Sequence, residues 1–583
     1  MIQTILGAVL CCAPLILIFT FQDKLRGLLR ISAFMICAHL AATVITQAFH
    51  IFSYGVVLGI HAIIAVVCVA IFIRREKYFS GIKFSWLVLL VAIVVGFELS
   101  SVHYFYKGIV SDIGGLNAVS RDFYPYPHYS DEWVGVSLVN YSINEGSLPL
   151  VNSLWKNEPY PNGLAFFHSI VSEFFLLLNI SPLMGWSLFA VVNGLMISFL
   201  IFLILKSNGI SDFSSAAAAL SVPLIVNGVN LSGIWFFVPH IFAFSIFLLS
   251  LVSFSKKEFK AGIIQSLVCI GFYPPIIVFV APTLLAYIFS NKVSKYYALL
   301  ICLAAAVITL LLSLVLGFSN ALSLAVSWIV RPNLDGGIIS MSPWVVIPVL
   351  LLPFAAYGIY ELYKKKLYTV LVPVLIGIFF WILYSFIQDV FIIDKSRVVA
   401  MGAILLMIPA GFGIEALLRC LRTSKQLPHN LKIALFFEFA VVTVFLVSAF
   451  FYPVSNSWSK FVLNVRTEEG TIEYISAAPI TRYLSQDDMK LFEGISGKVF
   501  LSHPWKGLVI GAATGNYPLD SKSSTLTNRF VRYYDFMKGS CQVKTALAKD
   551  FSVDYVYGAP FECDGFEKLG QSKENQHLYK FVF

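Results

Sequence analysis

Residues 183–205 read LMGWSLFAVVNGLMISFLIFLIL, and no charged side chain interrupts these 23 positions. As a helix, an apolar run of this length crosses the ~30 Å hydrocarbon core of a bilayer. Similar runs recur along most of the 583 residues, so the chain is 58% hydrophobic, only 13% charged, and has a mean hydropathy of +0.81. Soluble domains carry about 25% charged residues. The sequence therefore predicts an α-helical polytopic membrane protein.

Lysine and arginine are gathered in short clusters between the apolar runs, which accounts for the net charge of +9. Such clusters mark the cytoplasmic loops of membrane proteins, so this charge does not indicate nucleic-acid binding. If all of them are cytoplasmic, an even number of spans must separate each cluster from the next. The clusters lie near 24–30, 74–83, 206, 256–260, 292–295, 364–366 and 419–425.

This parity predicts about 14 spans. The first run, 2–21, lacks the basic start and cleavage site of a secretory signal and is predicted to be a retained helix. The long run 261–290 is divided by Pro274-Pro275 into two short helices, because proline breaks a helix interior. The remaining spans are expected at 29–49, 51–73, 84–104, 183–205, 213–232, 236–254, 296–317, 344–362, 367–387, 398–419 and 430–452.

One apolar run, 163–180, does not fit the parity. If it crossed the membrane, every later basic cluster would face outward, against the usual bias. It also carries Glu173 and His168, which are costly at the centre of a bilayer. It is therefore predicted to be a re-entrant or interfacial helix, and a true span with a weaker charge rule stays open as the alternative.

Three regions follow from this topology. Residues 1–83 are expected to form an N-terminal three-helix extension, and residues 84–452 a transmembrane module with a large outer loop at 105–162. Residues 453–583 are expected to form a small soluble α/β domain outside the membrane, because strand-like runs alternate there with turn-rich segments. Those runs are Lys498–Ser502, Tyr555–Gly558 and Leu578–Phe583.

The soluble tail contains two cysteines, Cys541 and Cys563, whereas the other seven lie in or beside apolar runs. Because the tail is expected outside the cytoplasm, where disulfides persist, these two are predicted to form a disulfide. Three histidines in the N-terminal runs, His39, His50 and His61, lack the spacing of metal ligands.

The outer loop is rich in aromatic residues and proline, which argues against disorder. It reads RDFYPYPHYSDEW at 121–133 and WKNEPYPNG at 155–163. Its rings could stack on sugars or lie in an interfacial aromatic belt. The acidic pair Asp131-Glu132 also has two interpretations: first-turn helix residues stabilised by the dipole, or a general base or metal-binding group.

These features resemble the GT-C superfamily of membrane glycosyltransferases, which use polyprenyl-phosphate-linked sugars. The similar features are the acidic pair with Trp133 in the first large outer loop, the GSLP segment at 146–149 after an amphipathic helix, PYPNG at 159–163 and DKSR at 394–397. The chain departs from this family in its extra N-terminal spans, and it has no Trp-Trp-Asp motif.

The resemblance implies an inverting displacement in which an acceptor hydroxyl attacks the anomeric carbon and polyprenyl phosphate leaves. Asp131 is then the expected base, with Glu132 as a supporting acid. A divalent metal, Mg or Mn, at these two carboxylates is left open. The expected substrate-binding residues are the cations Lys395, Arg397 and Arg331, whose alternative is interfacial snorkelling, and the loop residues His128, Tyr129, Trp133 and Trp155.

The predicted function is therefore transfer of a sugar from a polyprenyl-phosphate donor to a cell-envelope glycan or glycolipid. The enzyme is expected to be multi-pass in the plasma or inner membrane, with its catalytic face outside the cytoplasm. A transporter or flippase of lipid-linked glycans is the rival class, since broken helices and intramembrane polar residues also suit transport. A polymerase of lipid-linked repeat units is a third candidate.

Overall fold

The structure is a computed structural model that describes most of the chain and is mainly helical, with a small sheet near the C-terminal end. This agrees with the fold class expected from the sequence at that level of detail. The described residues are 25–75, 86–112, 115–225, 233–290, 330–331, 346–386, 390–423, 463–466, 472–475, 484–521, 532–572 and 575–582.

Thirteen helices are described before residue 424. Among them, α1, α6 and residues 395–420 of α13 are long and apolar enough to cross a membrane, and several others are apolar but shorter. The helices are α1 (Leu25–Ala48), α2 (Tyr54–Arg75), α3 (Trp86–Tyr104), α4 (Ser130–Glu145), α5 (Ala165–Leu178), α6 (Pro182–Ser207), α7 (Asp212–Ser221), α8 (Pro239–Ser255), α9 (Phe259–Phe272), α10 (Ile277–Ser290), α11 (Leu352–Lys364), α12 (Tyr368–Phe386) and α13 (Lys395–Thr423).

Proline sets two of the helix boundaries. The predicted break at Pro274-Pro275 is confirmed: a 3₁₀ turn, Pro274–Ile276, separates α9 from α10. The predicted span 213–232 is described only in part: α7 has ten residues and is followed by a 3₁₀ turn containing Pro223, and residues 226–232 lie outside the described residues. Ten helical residues rise about 15 Å, half of a bilayer core. The predicted spans 2–21, 296–317 and 430–452 lie outside the described residues, so the count of 14 stays a prediction.

Several residues of the basic clusters lie at one end of the helix bundle. Arg30, in the first turns of α1, donates to both carboxylate oxygens of Glu258, which lies between α8 and α9, at 2.5 and 2.8 Å. At the same end Lys206 pairs with Asp212, and Glu415 accepts hydrogen bonds from the start of α7. The clusters near 24–30 and 256–260 are thus joined by the Arg30–Glu258 pair, and Lys206 has an acidic partner of its own.

Two glycines let α11 and α13 pack backbone to backbone. A Cβ atom at Gly358 would lie 1.7 Å from the Pro409 carbonyl oxygen, and one at Gly413 would lie 2.1 Å from the Phe354 carbonyl oxygen. Small residues at such crossings let membrane helices approach closely. This contact fixes the position of α13, the helix that begins at Lys395.

The predicted outer loop is a folded unit. A hairpin of β1 (Phe105–Asp112) and β2 (Gly115–Phe123) leads into α4, and the short hairpin of β3 (Val151–Asn152) and β4 (Glu158–Pro159) precedes α5. The loop helix α4 was expected to be amphipathic, yet both of its faces are covered. Trp186 of α6 packs against Gly135, and the helix Pro504–Thr514 of the C-terminal region (α15) covers another face.

The C-terminal region contains a five-stranded mixed sheet in the order β10 (Tyr517–Pro518), β9 (Val499–Ser502), β11 (Tyr555–Gly558), β13 (His577–Phe581) and β12 (Phe566–Gln571). The interior strand β9 is buried at all four positions, as a continuous apolar run predicts. The expected strand runs correspond to β9, β11 and β13. The remaining elements are β5 (Val330–Arg331), β6 (Val390–Phe391), β7 (Leu463–Arg466), β8 (Ile472–Ile475), α14 (Gln486–Leu491), β9 (Val499–Ser502), α15 (Pro504–Thr514), β10 (Tyr517–Pro518), α16 (Tyr533–Lys538), α17 (Cys541–Asp550), β11 (Tyr555–Gly558), β12 (Phe566–Gln571) and β13 (His577–Phe581).

The sheet region is held together and fixed to the outer loop by specific contacts. Cys541 and Cys563 form a disulfide with their Cα atoms 5.4 Å apart. Buried Lys506 of α15 pairs with Asp488, and Tyr557 donates to the same carboxylate. Tyr124 of the outer loop accepts a hydrogen bond from the Leu484 backbone at 3.1 Å. The C-terminal region therefore packs directly on the loop that carries Asp131-Glu132.

Candidate active site

Asp131 and Arg397, which are far apart in sequence, lie next to each other in the fold. Asp131 is in the first turn of α4, and Arg397 is in the first turn of α13. Nη2 of Arg397 is 3.9 Å from Oδ2 of Asp131, and the two side chains are 24% and 35% exposed. A carboxylate and a guanidinium thus share one partly open position where the outer loop meets a spanning helix.

The guanidinium of Arg397 is held by two further groups. Its Nη1 is 2.7 Å from Oδ2 of Asp394, just before α13, and donates to the Tyr273 hydroxyl at 2.9 Å. The ring of Tyr273 also lies under the guanidinium, with its centroid 5.5 Å from Cζ. On its other side, Tyr273 lies 5.8 Å from the ring of His240 in α8. Arg397 is therefore oriented by Asp394 and Tyr273, which come from two segments distant in sequence.

Glu132, the neighbour of Asp131, points into the protein and is only 1% exposed. Its Oε2 accepts hydrogen bonds from the backbone N–H groups of His128 and Tyr129, both at 3.0 Å, and its Oε1 accepts from Phe237 N–H at 2.8 Å. Burial raises the pKa of Glu132 to about 7, although these three donors oppose the shift. Glu132 thus joins the loop before α4 to the segment before α8.

Of the four loop residues expected to bind sugar, His128 and Trp133 are buried and Tyr129 and Trp155 are partly exposed. His128 and Trp133 are 6% and 1% exposed, and burial holds the pKa of His128 well below its usual value. Tyr129 packs 5.1 Å from the ring of Phe236. Trp155 packs on a hydrophobic cluster of the C-terminal region. An enclosed ring cannot stack on a sugar, so we assign Trp133 and His128 to packing.

The other two predicted cations lie near Arg397 along the chain or across a strand pair. Lys395 is the first residue of α13 and is partly exposed. Arg331 lies in β5, which pairs with β6, and its register partner is Val390. The backbone of Arg331 is thereby placed beside the segment that leads into Asp394 and Arg397. The fold brings these sequence-distant stretches together at the start of α13.

Comparison with solved structures gives similar membrane proteins. The Archaeoglobus fulgidus oligosaccharyltransferase tethered to an acceptor peptide matches 86% of this chain and 74% of its own, with 12% identity and a TM-score of 0.44. The AglB oligosaccharyltransferase of the same organism, in complex with an inhibitory peptide and a dolichol-phosphate, matches 81% and 70%, with 11% identity and a TM-score of 0.42.

A mycobacterial arabinofuranosyltransferase, AftD, matches 86% of this chain and 42% of its own, with 12% identity and a TM-score of 0.48. No family model and no curated protein sequence matches the chain. The likeness to these three solved structures is one of overall fold alone, and no activity is transferred from them to this chain.

The donors around Asp131 do not suit Mg²⁺ or Mn²⁺, which prefer several oxygen ligands. The guanidinium of Arg397 lies beside Asp131, and both oxygens of Glu132 already accept backbone hydrogen bonds. Within the described segments, one group of three or more potential metal ligands is found, and it lies elsewhere, at His39, His61 and Glu173. The expectation that His39 and His61 lack a metal-site arrangement is corrected by this grouping.

Sequence reasoning missed two residues of the site, Tyr273 and Asp394. Tyr273 immediately precedes Pro274-Pro275, where the helix was expected to break, and a break exposes backbone and side chains that can line a site. Asp394 opens the DKSR segment from which only Lys395 and Arg397 were chosen. In both cases the signal was present, but no pattern in the sequence paired these residues with Arg397.

Proposed function

We propose that the chain is an integral-membrane glycosyltransferase that transfers a sugar from a polyprenyl-phosphate donor to a glycan or glycolipid acceptor on the extracytoplasmic face. The observation that carries this proposal is the pairing of Asp131 with Arg397. Glycosyl transfer from a lipid phosphate needs a proton acceptor for the attacking hydroxyl and a cation for the leaving phosphate. The two side chains supply these groups within 3.9 Å of each other.

Arg397 is suited to bind the phosphate of the donor. A guanidinium presents a planar fork of N–H donors that matches phosphate oxygens, and Asp394 and Tyr273 fix the plane of this one. The contact to Asp131, at 3.9 Å, is longer than a hydrogen bond and is easily exchanged. A phosphate that binds Nη2 takes the place of Asp131 and leaves that carboxylate to the acceptor.

Asp131 then acts as the base. The acceptor hydroxyl oxygen attacks the anomeric carbon, the bond from that carbon to the phosphate oxygen breaks, and its electron pair leaves with the polyprenyl phosphate. The hydroxyl proton passes to the Asp131 carboxylate. A well-placed acid or base is worth about 10²–10⁴-fold in rate. Glu132 serves in this scheme as a positioning residue, since its hydrogen bonds hold the loop that precedes Asp131.

The location of the site supports a lipid substrate. Arg397 lies in the first turn of α13, one of three helices among the described residues that are long and apolar enough to span a membrane, so a phosphate bound there lies at the end of such a helix. The C-terminal region packs on α4 beside the site, so it is placed to contact the acceptor substrate. Its disulfide favours an oxidising compartment and thus the extracytoplasmic face.

The test is a transfer assay on the purified full chain with a panel of radiolabelled polyprenyl-phosphate sugars. Asp131→Asn is expected to fold, to bind donor and to lose at least about a hundredfold in rate. The matched control is Asp212→Asn, which removes another first-turn aspartate, at the start of α7. Near-normal transfer by Asp131→Asn would return Asp131 to a helix-stabilising role, and wild-type activity that depends on a transmembrane gradient would indicate the transporter class.

A further inference from the structure

Three polar side chains from three apolar helices meet inside the N-terminal part of the bundle. They are His39 of α1, His61 of α2 and Glu173 of α5, and they are 8%, 3% and 1% exposed. One potential ligand atom from each lies within 4.8 Å of the others. Ionisable groups are expensive in membrane helices and generally mark a function, so this cluster calls for an explanation that apolar packing does not give.

The ring nitrogens of both histidines converge on one oxygen of Glu173. Nε2 of His61 hydrogen-bonds Oε1, and Nδ1 of His39 lies 3.4 Å from the same atom. The centroids of the two imidazole rings are 3.9 Å apart. Ligands of a tetrahedral zinc ion, at about 2.0 Å from the metal, are separated by roughly 3.3 Å. The spacing of His39 and Glu173 already meets that value, and His61 needs only a small outward shift.

Nδ1 of His39 gives a second, independent indication of a ligand. It is buried, and its contact with Oε1 of Glu173, at 3.4 Å, does not have the geometry of a hydrogen bond. A buried ring nitrogen without a hydrogen bond is costly, and a bound ion would satisfy it.

The surroundings orient the carboxylate of Glu173. Thr43 lies one turn after His39 on the same face of α1, and its hydroxyl donates a hydrogen bond to Oε2 of Glu173. One turn further on, Gln47 donates to Ser172, the neighbour of Glu173, at 2.8 Å. Supporting hydrogen bonds of this kind are typical of metal sites, where they fix the ligand oxygens.

We propose that His39, His61 and Glu173 bind a divalent transition-metal ion of the zinc type. Two imidazole nitrogens and one carboxylate form a ligand set that zinc accepts, whereas Mg²⁺ and Mn²⁺ prefer oxygen alone. The ion links α1 and α2 to α5. In turn α5 packs against α4, the helix whose first turn contains Asp131. Three protein ligands leave the fourth zinc position to a water molecule, and the proposal stands independently of glycosyl transfer.

The experiment is a metal analysis of the full chain, purified in detergent through a tag without histidine. We expect about one equivalent of zinc per chain by mass spectrometry, and a d–d absorption band after replacement by Co²⁺. His61→Gln and His39→Gln should each reduce bound metal at least about tenfold. The control is His50→Asn, which alters an exposed histidine between α1 and α2 whose φ of +55° asparagine tolerates.

A gentler variant guards against misfolding of the ligand mutants. Thr43→Val keeps all three ligands and should weaken zinc affinity by about tenfold to a hundredfold, with the thermal unfolding of the metal-free protein nearly unchanged. A wild-type chain that holds no zinc after incubation with the ion, or one whose zinc content is the same in His61→Gln, overturns the proposal. The cluster is then a hydrogen-bonded network that contains protons alone.

Discussion

Replacement of Arg397 by alanine is expected to weaken binding of polyprenyl phosphate strongly. In the proposed complex the guanidinium fork makes two charge-assisted hydrogen bonds to the phosphate, each worth about 1.5–3 kcal/mol. Because the side chain is 24% exposed, water and salt screen the site and the lower end applies. A loss of about 3 kcal/mol corresponds to roughly a hundredfold in Kd.

A lysine at position 397 should restore only part of this binding. It keeps the positive charge, but it cannot reach Asp394 and Tyr273 with one planar group, so it meets the phosphate as a single, mobile charge. We expect Arg397→Lys to bind about tenfold more weakly than the wild type. Lys395→Ala, which removes the neighbouring cation, should have the smaller effect, since Arg397 alone is fixed by partners of its own.

Binding should be measured by calorimetry with polyprenyl phosphate that carries no sugar, which isolates the phosphate contact from recognition of the sugar. Arg419→Ala is the matched control, because Arg419 lies near the other end of α13 and pairs there with Glu415. Thermal unfolding of each variant shows whether the protein is intact. If folded Arg397→Ala binds within about threefold of the wild type, Arg397 does not hold the phosphate and the proposed site is wrong.

Three further predictions concern positioning and stability. Because the pKa of Glu132 is about 7, its protonation below that pH should loosen the loop and lower the transfer rate. Folding stability should instead fall as the pH rises from about 4.5 through 7, because ionisation of the buried carboxyl group is costly in the folded protein. A rate–pH profile that is the same in Glu132→Gln as in the wild type would contradict this. Gly413→Leu should drive a side chain into the α11 backbone and lower Tm by several degrees, and Gly59→Leu, in open space, should not. Joint replacement of Cys541 and Cys563 by serine should destabilise the C-terminal region by about 3 kcal/mol in the chain-entropy estimate, measurable by denaturant unfolding, and an unchanged transition would show that the bridge adds nothing.

Composition and local pattern were enough to predict the class of protein and many of its elements. Apolar runs have a required length in a membrane, and prolines act within a turn of their own position, so the helix break at Pro274-Pro275 could be predicted from the sequence. Three of the five strands of the C-terminal sheet were likewise predicted from short runs. Within the span expected at 213–232, hydropathy did not predict that α7 ends before a 3₁₀ turn containing Pro223.

The candidate site was predicted only in part, because its residues come from distant segments. Asp131 and Arg397 could each be chosen for their chemistry, but nothing in the sequence says that α4 and α13 begin at the same place. The choice between Asp131 and Glu132 is equally a matter of tertiary structure. Both are first-turn carboxylates, and only the fold shows that Glu132 turns inward to three backbone N–H groups while Asp131 faces Arg397.

The buried cluster of His39, His61 and Glu173 shows the same difference between what the sequence predicts and what the tertiary structure decides. By sequence, His39 and His61 are isolated histidines in separate helices, and Glu173 is a reason to doubt that 163–180 spans the membrane. Sequence determines what each segment is, because backbone hydrogen bonding and hydropathy act over a few residues. Which side chains meet is decided by the packing of helices whose contacts are set by shape, as at Gly358 and Gly413, and shape appears only when the chain is folded.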